Sequence, residues 1–311
     1  MDIMCTSIRI NYPEGVVLAR TMDYEVPLDY NIVYFPKDYH YADDLMGNPL
    51  FNKYEMMGVS FQNKNPLKDG VNQQGLAGCT NLFITGKSFS KDLFSDKLNL
   101  SSMDYFNYAL GNYTSVKELV DDLDRIHISS QDLTGNNVIC PPFHFYFMDR
   151  FGDSVVIEPQ GKTLIPMDNP YGVLTNSPSF KSHERRLQRF LKKKNLQPAK
   201  DLPGGYDPVS RFIKAYYLKE HHIPATNSDD AFEQAYSILE ALKLPQGFLF
   251  NEKYQSHTYT RYICAYDPGQ RKMTIRTHQN PMIYSIDFHS LKNRSSRQSL
   301  FLPQKMMTTN L

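Results

Sequence analysis

The sequence predicts an α+β fold in which sheets are layered with helices. Three observations carry this. Strand-like runs fill the front of the chain, helical periodicity follows, and strands, helices and closing strands then succeed one another. That order is neither strict βαβα alternation nor all-β. No repeat, low-complexity tract or interdomain linker interrupts the 311 residues, so one domain is expected.

Cys5 to Asn11 and Val16 to Tyr24 alternate on either side of Tyr12-Pro13-Glu14-Gly15 and read as a hairpin. Short apolar runs follow at Asn31 to Phe35, Gly58 to Gln62 and Gly75 to Phe83. Helices are expected from Ser101 to Leu110 and from Ser115 to His127. The second opens with the capping-box form Ser115-Val116-Lys117-Glu118. Strands return at Phe143 to Asp149, Ser154 to Glu158 and Lys162 to Pro166. Helical spacing then marks Ser182 to Lys194, Pro208 to Glu220 and Asp229 to Leu242. His257 to Tyr266, Arg271 to Thr277 and Ile283 to Phe288 close the chain as strands.

Charge is balanced, 34 Lys and Arg against 33 Asp and Glu, which gives no global electrostatic case for nucleic acid or an acidic membrane as partner. No apolar run approaches the ~18–20 residues that span a bilayer, and Met1-Asp2-Ile3-Met4 lacks the features of a secretion signal. The four cysteines are scattered without metal-ligand spacing, and the histidine pairs His221/His222 and His127/His144 fare no better. A cytoplasmic protein with reduced thiols is expected, needing no metal and no cofactor.

Cys5 is the residue with the most chemistry in reach. Once a short leader, residues 1–4, is cut away, its own α-amine has a pKa of about 7.7–8.0 and can serve as base for its thiol. Asp2 is too bulky for simple loss of the initiator Met to expose Cys5, so the Met4–Cys5 bond itself must break. Arg20 and Asp23 return on the second arm of the hairpin. A guanidinium there lowers the thiol pKa, and a carboxylate can hold the amine.

Cys5-Thr6-Ser7 with Leu18-Ala19-Arg20-Thr21-Met22-Asp23-Tyr24 resembles the choloylglycine hydrolase family of N-terminal nucleophile hydrolases, which includes bile salt hydrolases and penicillin V acylases. Asp69-Gly70-Val71-Asn72-Gln73-Gln74-Gly75-Leu76, Pro141-Pro142-Phe143-His144-Phe145, Ser154-Val155-Val156-Ile157-Glu158-Pro159, Val173-Leu174-Thr175-Asn176-Ser177-Pro178 and Pro208-Val209-Ser210-Arg211-Phe212 extend the likeness in order along the chain. It implies a four-layer αββα sandwich of two antiparallel sheets. It also implies that Cys5 is the nucleophile, flanked by Arg20 and Asp23, that Asn176 belongs to the oxyanion site and that Arg211 organises the charged network.

Two departures stand out. The family places an Asn, or in penicillin V acylases a Tyr, where an ungapped count puts Leu82, with Asn81 one residue early. Asn81 serves the oxyanion only if a bulge turns it inward; otherwise a backbone N–H, such as that of Leu82, must donate. The Gly-rich insertion that builds tetramers in many relatives is missing or shortened between Asn176 and Arg211, so a dimer or monomer is expected over that tetramer.

The function expected is cleavage of linear, non-peptide amides through an acyl-thioester on Cys5, the partner being a small amide with a bulky apolar acyl group. Met22, Tyr24, Phe61 and Phe83 are the expected lining of its pocket. Penicillin V acylase-like activity is the first reading. Conjugated bile salts and N-acyl homoserine lactones are the other substrates, and a binding protein that never matures is the non-catalytic alternative.

Overall fold

The computed structural model describes residues 5–25, 29–84, 89–131, 140–252, 254–291 and 294–302. The expected leader, residues 1–4, lies outside them. Six α-helices are described: α1 Ser102–Asn112, α2 Val116–Asp121, α3 Phe180–Leu191, α4 Pro198–Asp201, α5 Pro208–Glu220 and α6 Ser228–Glu240.

Two antiparallel sheets form the centre. The seven-stranded first sheet runs Val173–Leu174, Thr6–Tyr12, Gly15–Tyr24, Ser256–Asp267, Lys272–Thr277 and Tyr284–Asp287, with Leu249–Asn251 also paired to Ser256–Asp267. The eight-stranded second sheet runs Thr163–Asp168, Ser154–Gln160, Phe143–Asp149, Leu76–Leu82, Leu67–Asn72, Met56–Phe61, Tyr30–Phe35 and Gln298–Phe301. Helices α5 and α6 pack on the first sheet, and α1 packs on the second. The layering is therefore αββα, as the sequence resemblance implied.

Alternation along each strand builds two apolar cores. One fills the space between the sheets and beneath α3, α5 and α6, with Ile8, Val17, Val59, Tyr146, Phe212 and Leu239 among its members. The other seals the second sheet against α1 and α2 through Phe106, Leu110, Leu119, Phe145 and Phe147. Asn72 ties a sheet corner to α1: its Nδ2 donates to the carbonyls of Leu110 and Tyr113, while its Oδ1 accepts from the N–H groups of Gln74 and Leu76. Gly75, at φ +87°, completes that turn in a conformation that favours glycine.

One expected element is shorter than its periodicity suggested. Helix α2 starts as foreseen, with the Ser115 side chain accepting from Glu118 N, but it ends at Asp121. A single 3₁₀ turn follows, and Ile126–Ile128 then pairs in parallel with Leu98–Leu100. Two β-branched residues around His127 favour that strand over a further helical turn. The strand Leu67–Asn72, which the sequence did not single out, completes the second sheet and positions Asp69. Among the described residues no helix is long and apolar enough to cross a membrane.

Candidate active site

Cys5 immediately precedes the strand Thr6–Tyr12, is only 3% exposed, and lines a cavity of about 840 Å³. Register fixes what stands opposite it. Ser7 pairs with Leu174 and Ile8 with Val173 in antiparallel fashion. Continuing that pairing by two residues sets Asn176 across from Cys5, and the Cys5 N–H donates to Asn176 Oδ1 at 2.5 Å. The Asn176 Nδ2 donates to the Leu82 carbonyl at 3.0 Å, so the carboxamide is clamped at both ends.

Arg20 and Asp23 are both fully buried, and neither is the surface ion-pair member that its residue type alone suggests. Strand alternation sends them to opposite faces. Arg20 points between the sheets, where Nη1 meets Asp69 Oδ2 at 3.3 Å and donates to the Lys68 carbonyl at 3.1 Å. Asp69 also accepts from the hydroxyls of Tyr262 and Tyr266. Asp23 points toward α5, where Oδ2 lies 3.4 Å from Arg211 Nη1 and Oδ1 accepts from Thr260 at 2.5 Å.

Arg211 completes the link. Its Nη1 donates to Thr6 Oγ1 at 2.6 Å and its Nη2 to Asn176 Oδ1 at 3.3 Å. One guanidinium thus ties Thr6, Asp23 and Asn176 together around Cys5. Helix α5 supplies it from the first turn, where Asp207 caps Val209 and Ser210 and Pro208 takes a position that needs no N–H.

Burial raises the Cys5 thiol above its ordinary value, and this outweighs Arg20, the largest influence in the opposite direction. The sequence expectation of a thiol depressed by Arg20 is therefore corrected: the guanidinium acts in the foreseen direction, but desolvation wins. Burial likewise pushes the Asp23 carboxyl up to about 6, against Arg211 and Thr260.

The cavity is walled by Met22, Tyr24, Phe61, Leu82, Ile84 and Phe143 among others. Tyr24 stacks on Phe61 with ring centroids 5.6 Å apart, and Tyr30 meets Phe61 edge-on. Met22, Tyr24 and Phe61, three of the four residues expected to line it, are on its wall, and Leu82, named for its backbone N–H, lines it as well. Phe83 does not line the cavity: its ring stacks on His144 at 4.9 Å, because the next residue along a strand faces the other way.

Asn81 is the third correction. The pairing from Phe143↔Leu82 to Asp149↔Leu76 runs without a bulge, so nothing turns Asn81 into the cavity. Its Oδ1 accepts from Ser7 Oγ at 3.2 Å, and its Nδ2 donates to the carbonyls of Leu174 and Thr175. Asn81 instead braces the segment that carries Asn176.

Two histidines brace the same segment, a role the sequence did not suggest for either. His144 Nε2 donates to the Thr175 carbonyl at 2.7 Å while its Nδ1 faces Glu158. His183 Nε2 donates to the Asn176 carbonyl at 2.8 Å, and burial lowers its pKa to about 4. Asp69, Thr260, Tyr262 and Tyr266 were missed as well, since their partners lie on a different sheet or strand. Parity was the available signal: positions 20 and 23 differ by an odd number, so each needed its own counter-charge. Among the described residues no cluster of three His, Cys, Asp or Glu side chains could hold a metal ion.

A profile described as linear amide C–N hydrolases, choloylglycine hydrolase family, matches residues 5–296. The chain belongs to that family. It is 26% identical over 310 residues to a bile salt hydrolase/transferase of Clostridium perfringens, covering 92% of this chain and 93% of that protein. To a penicillin V acylase of Pectobacterium atrosepticum it is 24% identical over 301 residues, covering 90% and 78%. A crystal structure of a mutant conjugated bile acid hydrolase from Clostridium perfringens superposes with a TM-score of 0.87 at 22% identity, with 99% of each chain covered. The penicillin V acylase of Agrobacterium tumefaciens superposes with a TM-score of 0.75 at 22% identity, with 92% and 87% covered. This member of the choloylglycine hydrolase family is accordingly a hydrolase of linear amide C–N bonds.

Proposed function

We propose that Cys5, freed of residues 1–4, cleaves N-acyl amides with a bulky, mostly apolar acyl group. The observation that carries the reading is Cys5 on the cavity wall with its backbone nitrogen already held by Asn176. In this mechanism the freed amine takes the thiol proton and the sulfur attacks the acyl carbon. Charge gathers on the carbonyl oxygen, where the second Nδ2 hydrogen of Asn176 and the Leu82 N–H are the proposed donors. The protonated amine then protonates the leaving amine, and water repeats the sequence on the thioester. Arg20 favours thiolate, and Asp23 with Arg211 holds the amine and Asn176 in place.

Penicillin V acylase-like turnover is the first reading, from the motif likeness around Arg20. The cavity volume favours a second: about 840 Å³ is in the range that encloses drug-sized ligands, and it leaves space well beyond a phenoxyacetyl group for a polycyclic acyl such as that of a conjugated bile salt. Intact mass tests the chemistry before any substrate is chosen. Wild type should lose its first four residues while Cys5→Ala retains them; an active wild type with the leader in place sinks the mechanism. Turnover of glycocholate without penicillin V cleavage selects the second substrate reading.

A further inference from the structure

Lys68 sits beside the expected chemistry without a part in it. It lies on the strand Leu67–Asn72, is 6% exposed, and lines the same cavity as Cys5. Its Nζ lies 5.0 Å from the centroid of the Phe61 ring and 5.7 Å from that of Phe143. Both rings are cavity walls.

No described carboxylate comes within ion-pair distance of this ammonium. Asp69, its neighbour in sequence, is taken by Arg20, Tyr262 and Tyr266. Asp104 lines the cavity but accepts from the Ser101 hydroxyl at the start of α1. Burial pulls the Lys68 amine down to about 7, Arg20 pushes the same way, and Asp69 and Asp104 oppose them. A buried ammonium without a counter-charge is costly, and the two ring faces offset only part of that cost.

We propose that Lys68 is a specificity-determining residue that takes an anionic substituent, a carboxylate or sulfate, on the acyl part of the substrate. This rests on the hydrolase reading above and names the substrate class more narrowly. The acyl part is indicated because the ammonium stands on the cavity wall beside Phe61 and Phe143, the rings that would enclose an apolar chain. The acyl group also stays in place through both half-reactions, whereas the amine leaves after the first. An anion seated there gains a charge-assisted hydrogen bond and raises the amine's pKa, so binding and protonation reinforce each other.

The test compares octanoyl p-nitroanilide, suberoyl p-nitroanilide (the same chain ending in a carboxylate) and octanoylglycine, whose anion lies on the amine. Wild type should favour suberoyl over octanoyl anilide about 10-fold or more in kcat/KM. Lys68→Met keeps the apolar stem and should erase that preference by lowering suberoyl turnover far more than octanoyl turnover, and Lys68→Arg should restore part of it. The Lys68 contacts with Arg20 and Thr80 run through its main-chain carbonyl and survive both substitutions. A Lys68→Met effect equal on both anilides, or confined to octanoylglycine, overturns the proposal. Failure of wild type to cleave any of the three overturns the hydrolase reading instead. In that event calorimetric binding of the two anilides to Cys5→Ala decides on Lys68 alone: equal affinities refute the role, tighter suberoyl binding that Lys68→Met abolishes supports it.

Discussion

Arg20 and Asp23 lie three residues apart on one strand, yet each is bound to a partner on the opposite side of the sheet. Arg20 meets Asp69 on the facing sheet, while Asp23 meets Arg211 on α5. The site is therefore two buried ion pairs back to back, with Cys5 at the end of the adjoining strand.

Breaking one pair should be severe. In Asp69→Asn the Arg20 charge stays buried without its counter-charge, and the new amide group faces two phenol donors that previously found acceptors. A loss of about 3–5 kcal/mol is expected, read as a lowered urea midpoint with unchanged slope. A midpoint within error of wild type would refute the pairing.

Removing Arg20 should leave the burial of the thiol opposed only by weaker influences, the hydrogen bond to the Asp23 backbone and the Arg211 charge. In Arg20→Met the alkylation of Cys5 by iodoacetamide should shift to higher pH than in wild type, because the largest influence favouring thiolate is gone. An unshifted profile would mean that the guanidinium does not act on the sulfur.

His183 should make the fold acid-sensitive. Its folded pKa of about 4 lies below the ordinary value of about 6.5, so on acidification the unfolded chain takes up the proton first. The stability it allows is complete above pH 6.5 and is lost as pH falls toward 4, by up to about 3 kcal/mol. His183→Gln should flatten that part of the curve in urea titrations; a parallel curve would place the acid sensitivity elsewhere.

Phe61 and Phe83 should separate binding from stability. Phe61→Ala opens the cavity wall and should raise KM about 10-fold with a smaller change in kcat. Phe83→Leu removes the stack on His144 and should cost about 1–2 kcal/mol with KM unchanged. A matching KM effect for both would place Phe83 in the cavity after all.

Much of this was legible in the chain. The hairpin that carries Cys5, the two blocks of strands and the helices around Pro208 and Asp229 follow from alternation and capping, which are local. Asn176 and Arg211 were found through motifs, and strand register explains why Asn176 meets Cys5. What the sequence hid is non-local. Nothing near Asp69 marks it as the partner of Arg20, His144 reads as an ordinary satisfied histidine, and His183 carries no local signal until the Thr175–Asn176 carbonyls come against them. Asn81 and Phe83 failed for one shared reason: a single step along a strand reverses a side chain, and no bulge intervened.

The short edge strand Val173–Leu174 has a wider consequence. Held by Ser7 and Ile8 on one flank and by the Asn81 carboxamide, it hands Asn176 to Cys5, and the Leu82 carbonyl is the point where the cavity wall meets that carboxamide. Much of the cleft is assembled separately, from the turn after Met56–Phe61, the first turn of α1 and Cys140-Pro141-Pro142. Those stretches can drift in sequence and change the diet of the protein while its cutting apparatus stays in register.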